Sequence, residues 1–118
     1  MRLDATHLQD IHLAGIEIHN FLGQTEEGGF LSDPLLQAAI AYKLAIIGEA
    51  AGHLSPEFRE AHASIPWQRI RGLRNHLIHA YGDVDQVAVW RILQKELPAL
   101  LLYIEPLLAS ESDAFLPG

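Results

Sequence analysis

Within residues 69–81 the chain gathers the side chains best suited to acid–base and phosphate chemistry: Arg69, Arg71, Arg74, Asn75, His76, His79 and Tyr81. A histidine gains and loses its proton near neutral pH. An arginine presents a planar fork of donors that fits a phosphate or a carboxylate. Asn75 and His79 stand four apart, so on a helix the amide is close enough to orient the imidazole. Charge singles out the same segment. The formal net charge is −7, which argues against a protein that grips long nucleic acid through its backbone. Residues 1–58 carry two basic and eight acidic residues, and residues 83–118 two and six, whereas residues 59–82 set four arginines against Glu60. Such a local patch suits one or two phosphates or an acidic partner surface. A solvated helix face that is basic by chance accounts for the arginines equally well.

On a helical wheel of about 100° per residue, Trp67, Ile70, Leu73, Leu77, Ile78 and Tyr81 fill one apolar arc. Arg74 falls inside that arc. An arginine there must reach out to solvent, pair with an acid or line a cavity, because burying its charge alone is prohibitively costly. Arg71, Asn75 and His79 follow along the adjoining flank, and His76 points away. Arg74 and His79 are roughly 140° apart on the wheel. They converge on a ligand only through arginine's reach, a bent helix end or a second subunit. The alternative is a bridge from Arg74 to a carboxylate such as Glu49, with His79 an ordinary surface residue. His76 and His79 have the spacing of a metal pair, but no third ligand completes a site on this helix. His12 and His19 are a weaker pair still. No phosphate-binding glycine loop, nucleophile elbow or usefully spaced carboxylate pair is present.

Five helices must position these residues, and no stretch alternates as a strand. The first spans residues 4–22, with Leu8, Ile11, Ile18 and Leu22 on one stripe and Gly15 where a neighbour can pack closely. Residues 26–29 read as a loop. The second helix starts at Ser32-Asp33-Pro34, an N-cap candidate before a proline at the first helical position. Its stripe runs through Leu36, Ile40, Leu44, Ile47, Ala51 and Leu54. A short third covers residues 55–62. The fourth runs from Pro66-Trp67 to Tyr81-Gly82, and the fifth, capped by Asp83 or Asp85, reaches about Leu108. Pro98 must kink or interrupt that last helix. Four long helices with short connections predict an all-α chain, an up-and-down antiparallel four-helix bundle with one short extra helix.

The chain has 118 residues, 49% of them apolar and 19% charged, enough for one core and without the composition of disorder. A single domain over residues 1–118 is expected. Cysteine is absent, which excludes disulfides and thiolate metal sites and suits a reducing compartment. Met1-Arg2-Leu3-Asp4 lacks the order of a signal peptide. The apolar run 97–109 carries Glu105 and two prolines and is shorter than the roughly 20 residues that span a bilayer. A soluble, cytoplasmic protein is the expectation.

The segment Arg74-Asn75-His76-Leu77-Ile78-His79-Ala80-Tyr81 resembles the HEPN motif of arginine, a polar residue, three further residues and histidine. The tyrosine two positions beyond the histidine is the mark of the HepT-like branch. The similarity continues through Ile46-Ile47-Gly48-Glu49-Ala50, Ile65-Pro66-Trp67, Val84-Asp85, Trp90 and Leu97-Pro98, and covers about residues 35–108.

This resemblance implies a metal-independent endoribonuclease that needs no cofactor, the toxin of a toxin–antitoxin pair. The implied partner is a minimal nucleotidyltransferase that silences the toxin by transferring AMP to the tyrosine, here Tyr81. The family's dimers face their motif helices across one cleft, so two copies of Arg74 and His79 would line a shared groove. In that reading His79 moves the proton, Arg74 holds the phosphate, Asn75 and Arg71 support the site, and Tyr81 borders it. RNA brings its own nucleophile, the ribose 2′-hydroxyl, so proton transfer and phosphate stabilisation suffice. Two rivals stand beside it: a non-catalytic HEPN adaptor that binds nucleotide or a nucleotidyltransferase, and a structural dimer whose polar strip is an interface network.

Overall fold

The computed structural model describes residues 2–79 and 84–115. Every regular element among them is helical: α1 (Arg2–Leu22), α2 (Glu27–Leu31), α3 (Pro34–Gly52), α4 (Pro56–Ala61), α5 (Trp67–His79), α6 (Gln86–Arg91) and α7 (Leu97–Phe115), with a π-helical turn (Ile92–Glu96) joining the last two. The all-α expectation holds.

α3 is the centre. It packs against α1 and α5, while α7 lies along α1. The α3 stripe is buried as its spacing predicts, at Ile40, Leu44, Ile47, Ala51 and Leu54. Ala45, Gly48 and Ala50 are also buried, because a helix flanked on two sides needs apolar residues around more of its circumference. This 19-residue helix is long and apolar enough to cross a bilayer by length and composition. Here a third of that stretch is buried, and α1 and α5 are the helices it packs against most. On α1, Ala5, Leu8, Ile11, Ala14 and Ile18 form the buried stripe. Gly15 is a contact point, since a Cβ there would come within 2.5 Å of the tip of Leu101.

Local chemistry sets the helix starts. The Asp33 carboxylate accepts from the Leu36 amide at 3.0 Å, ahead of Pro34 at the first helical turn. Ser55 Oγ accepts from the Phe58 amide at 3.1 Å to open α4. Asp85 Oδ1 accepts from the amides of Val87 and Ala88, both at 3.1 Å, so Asp85 is the cap of α6. One cross-link was not foreseen. Asp4, buried near the start of α1, accepts from both the amide (2.8 Å) and the hydroxyl (2.7 Å) of Ser55, tying α1 to the cap of α4.

Two expectations need correction, and a third is met in an unforeseen form. Residues 26–29 are not simply a loop, because Glu27–Leu31 winds into a short helix. Two glycines weaken it by about 1 kcal/mol each relative to alanine. Its anchor outweighs them: Phe30 is wholly buried against Trp90, with ring centroids 5.5 Å apart. Pro98 does not end the last helix, but the regular α-helix is interrupted just before it, as expected, by a π-helical turn. The turn before it opens to five-residue spacing, with the Leu97 amide bonded to the Ile92 carbonyl, which eases the clash between a proline ring and the carbonyl four residues back. Nor does the helix end near Leu108, for α7 continues to Phe115 through Pro106.

Candidate functional site

α5 carries the polar strip, and two glycines on α3 set how closely it approaches. A Cβ on Gly48 would stand 2.9 Å from the Ile70 carbonyl oxygen and 3.1 Å from the Arg74 nitrogen, both backbone atoms of α5. Only glycine permits that spacing. One turn on, Gly52 lies beneath the Arg71 side chain, with Nε 3.6 Å from where a Cβ would be. On the other side of the strip Trp67 and Leu77 are buried, and Ile70 and Leu73 pack against the core.

This close packing brings Arg74 to Glu49. Arg74 Nε meets Glu49 Oε2 at 2.5 Å, with about half of each side chain exposed. The carboxylate alternative that the wheel left open is therefore the arrangement present, but at the surface rather than inside the fold. Glu49 also approaches His53, one turn along α3, at 3.5 Å. His53 in turn stacks on His7 of α1, with centroids 5.2 Å apart and planes 22° apart.

A cleft of about 220 Å³ opens here, lined by Gly48, Glu49, Gly52, His53, Arg71, Arg74 and Asn75. It unites three residues expected at the site: Arg71, Arg74 and Asn75. Arg69 does not join them, because it pairs with Glu96 at 2.6 Å. The basic patch thus divides. Arg69 is tied to the π turn, Arg74 to Glu49, and Arg71 makes no ion pair among the described residues. His79 is the last residue of α5, about 7.5 Å further along the axis than Arg74 at 1.5 Å per residue. Its side chain, that of His76, and all of Tyr81 lie outside the described residues. No group of three His, Asp or Glu side chains among the described residues is placed to hold a metal ion.

A larger groove of about 380 Å³ continues from Arg74, Glu49 and His53 toward His7, Asp10 and Tyr42. Sequence reasoning missed this extension. Glu49 and His53 are four apart on one helix, a spacing that signals a pair. His7 is 46 residues from His53 in sequence, and only the packing of α1 on α3 brings them together.

The family model described as Ribonuclease HepT-like matches residues 11–107. The chain belongs to the HepT-like ribonuclease family. A protein of Caldanaerobacter subterraneus subsp. tengcongensis named "Putative RNase" is 42% identical over 82 residues, 70% of this chain and 73% of that protein. The "Probable ribonuclease HepT" of Thermococcus cleftensis is 35% identical over 94 residues, 80% of this chain and 86% of that protein. A second protein named "Putative RNase", from Methanocaldococcus jannaschii, is 31% identical over 98 residues, 83% of this chain and 90% of its own. No solved structure matches. This HepT-like chain is accordingly an RNA-cleaving nuclease.

Proposed function

We propose that this HepT-like ribonuclease is the toxin of a toxin–antitoxin pair, that Arg74 and His79 carry the cleavage, and that Arg71 and Asn75 support them. The observation that carries the reading is the state of Arg74: half-exposed, paired through Nε, and beside Arg71 and Asn75 in one cleft. An ion pair made through Nε leaves the opposite edge of the guanidinium, with its two amines, for a second acceptor such as a phosphate.

In the proposed reaction His79 takes the proton of a ribose 2′-hydroxyl, and the oxygen attacks the adjacent phosphorus. The bond to the 5′-oxygen breaks, and that oxygen leaves with a proton. The products are a 2′,3′-cyclic phosphate and a free 5′-hydroxyl. Arg74 and Arg71 face the charge that builds on the phosphoryl oxygens. Two copies of α5 facing each other in a homodimer would supply a second His79 as the acid. The acidic balance of the chain, −7, favours a small footprint such as a tRNA end or loop, in the cytoplasm. A minimal nucleotidyltransferase antitoxin would switch the site off by placing AMP on Tyr81, adding bulk and negative charge where the RNA phosphate must sit.

A purely structural reading takes the same Arg74–Glu49 pair as support for the fold. Magnitude argues against it. Pairs this exposed contribute about 0–1 kcal/mol, whereas removing one donor to a transition-state oxyanion costs about 100- to 1,000-fold in rate. Arg74→Ala is therefore expected to lose activity by about that factor while its unfolding free energy falls by less than about 1 kcal/mol. Full RNase activity in His79→Ala, in a preparation free of contaminating nuclease, would show the mechanism to be wrong. Intact mass and peptide mapping after co-expression with a nucleotidyltransferase and ATP test the switch. Added AMP on Tyr81 is expected, and an unmodified chain beside a demonstrably active transferase removes that part of the proposal.

A further inference from the structure

The geometry points to a nucleobase subsite in the groove beside Arg74, resting on the RNase reading above: the base attached to the phosphate at Arg74 lies between α1 and α3. Three features of the groove match a base. Its floor is apolar, formed by Ala45, Ile46 and Ala50. Its rim carries flat rings, the stacked His7–His53 pair and Tyr42, a residue 66% exposed whose ring centroid lies 5.7 Å from the Lys43 ammonium. Beside the donors of Arg74 and the rings it holds two acceptors, the carboxylates of Asp10 and Glu49. Bases stack on rings and bury their faces on apolar surface, so this combination suits them better than it suits a sugar or a free anion. At about 380 Å³ the groove falls at the lower end of small-molecule sites, roughly 300–1,000 Å³.

The charges also set the orientation. Glu49 is paired with Arg74, so the Asp10 carboxylate is the group that repels a phosphate from the far end of the groove; the phosphate stays at the Arg71–Arg74 end and the base points toward Asp10. The same carboxylate favours bases that offer an exocyclic amine, adenine, cytosine or guanine. Uracil is disfavoured, because its pairing edge sets two carbonyls around a single N–H.

The test reads binding rather than cleavage. Adenosine, cytidine, guanosine and uridine 5′-monophosphates are titrated separately into the full chain while the imidazole resonances of His7 and His53 are followed. The three amine-bearing nucleotides are expected to shift both histidines and to bind more tightly than the uridine nucleotide. Tyr42→Ala and His53→Ala are expected to weaken that binding about tenfold, within the range of base–aromatic stacking. Leu35→Ala, exposed on α3 outside the groove, serves as the control and leaves it unchanged. Nucleotides that bind without moving His7 or His53, or equal binding of all four, overturn the subsite. So does a Tyr42→Ala variant that sediments at half the mass of the wild type yet binds nucleotide as before, because a second copy would then occupy the groove. Binding as expected by a chain that cuts no RNA keeps the subsite and sinks the cleavage reading. Cleavage without such binding does the reverse.

Discussion

Asp4 is 4% exposed and accepts two hydrogen bonds from Ser55, whereas Glu49 and Arg74 meet with about half of each side chain in solvent. The two carboxylates should therefore respond oppositely to removal. Asp4→Ala leaves a part-buried Ser55 amide without its partner and frees the start of α1, at an expected cost of about 2–3 kcal/mol in urea unfolding. Glu49→Ala frees Arg74 and is expected to cost under about 1 kcal/mol. If both variants unfold at the same denaturant concentration, this division between a structural and a site carboxylate is wrong. The pairing of Glu49 with Arg74 could be read from the wheel, since an arginine inside an apolar arc demands an answer and Glu49 was a candidate. Asp4 gave no such signal. Its partner is 51 residues away, and a lone aspartate near a chain start looks like any first-turn acid.

Among the elements, α5 depends on α3 for its place, and glycine substitutions separate spacing from helix propensity. At Gly72 nothing lies within 4 Å of an added Cβ, so Gly72→Ala is expected to stabilise by up to about 1 kcal/mol, the gain of alanine over glycine inside a helix. At Gly48 the same methyl meets backbone atoms of α5. Gly48→Ala should push α5 outward, costing about 1–3 kcal/mol and reducing RNase activity as Arg74 leaves Glu49. A Gly48→Ala variant as stable and as active as wild type would mean that α5 tolerates the displacement. Gly15→Ala is intermediate, because the obstacle is the flexible end of Leu101. Helix positions were legible wherever a cap, a proline or a long stripe marked them, as at Asp33-Pro34 and along α3. α2 was not, because its glycines hide a turn held by the burial of Phe30 and by the Gln37 and Ser32 side chains, which donate to the Phe30 and Gly28 carbonyls.

Over the whole molecule, α3 shares its faces between α1 and α5, so loosening it should loosen everything. Ile47→Ala, at a site 1% exposed, is expected to lower stability by about 2–5 kcal/mol while unfolding stays a single transition by both circular dichroism and tryptophan fluorescence. Two separated transitions would show that α1–α7 and α5 fold independently. The 51 × 27 × 20 Å shape is that of long helices laid side by side, with the Arg74 cleft on one flank. Nothing in composition or periodicity specified which flank that would be. The HEPN-like motif named the residues on α5, and only packing on α3 added His53, His7 and Tyr42.

The π turn before Pro98 has its own arithmetic. Winding five residues where an α-helix winds about four takes up one extra residue, and the buried side chains Val89, Leu93, Leu97, Leu100 and Ile104 still fall on a common side. In effect α6 and α7 are one rod with a spare residue coiled into it. Deleting exposed Gln94 should therefore act unlike an ordinary helix deletion, which turns everything downstream by about 100°. Here the slack is removed and the two halves keep their phase. What returns is the proline's clash with a regular turn, about 3 kcal/mol, so the shortened chain should fold with α7 still seated on α1, less stable but not scrambled.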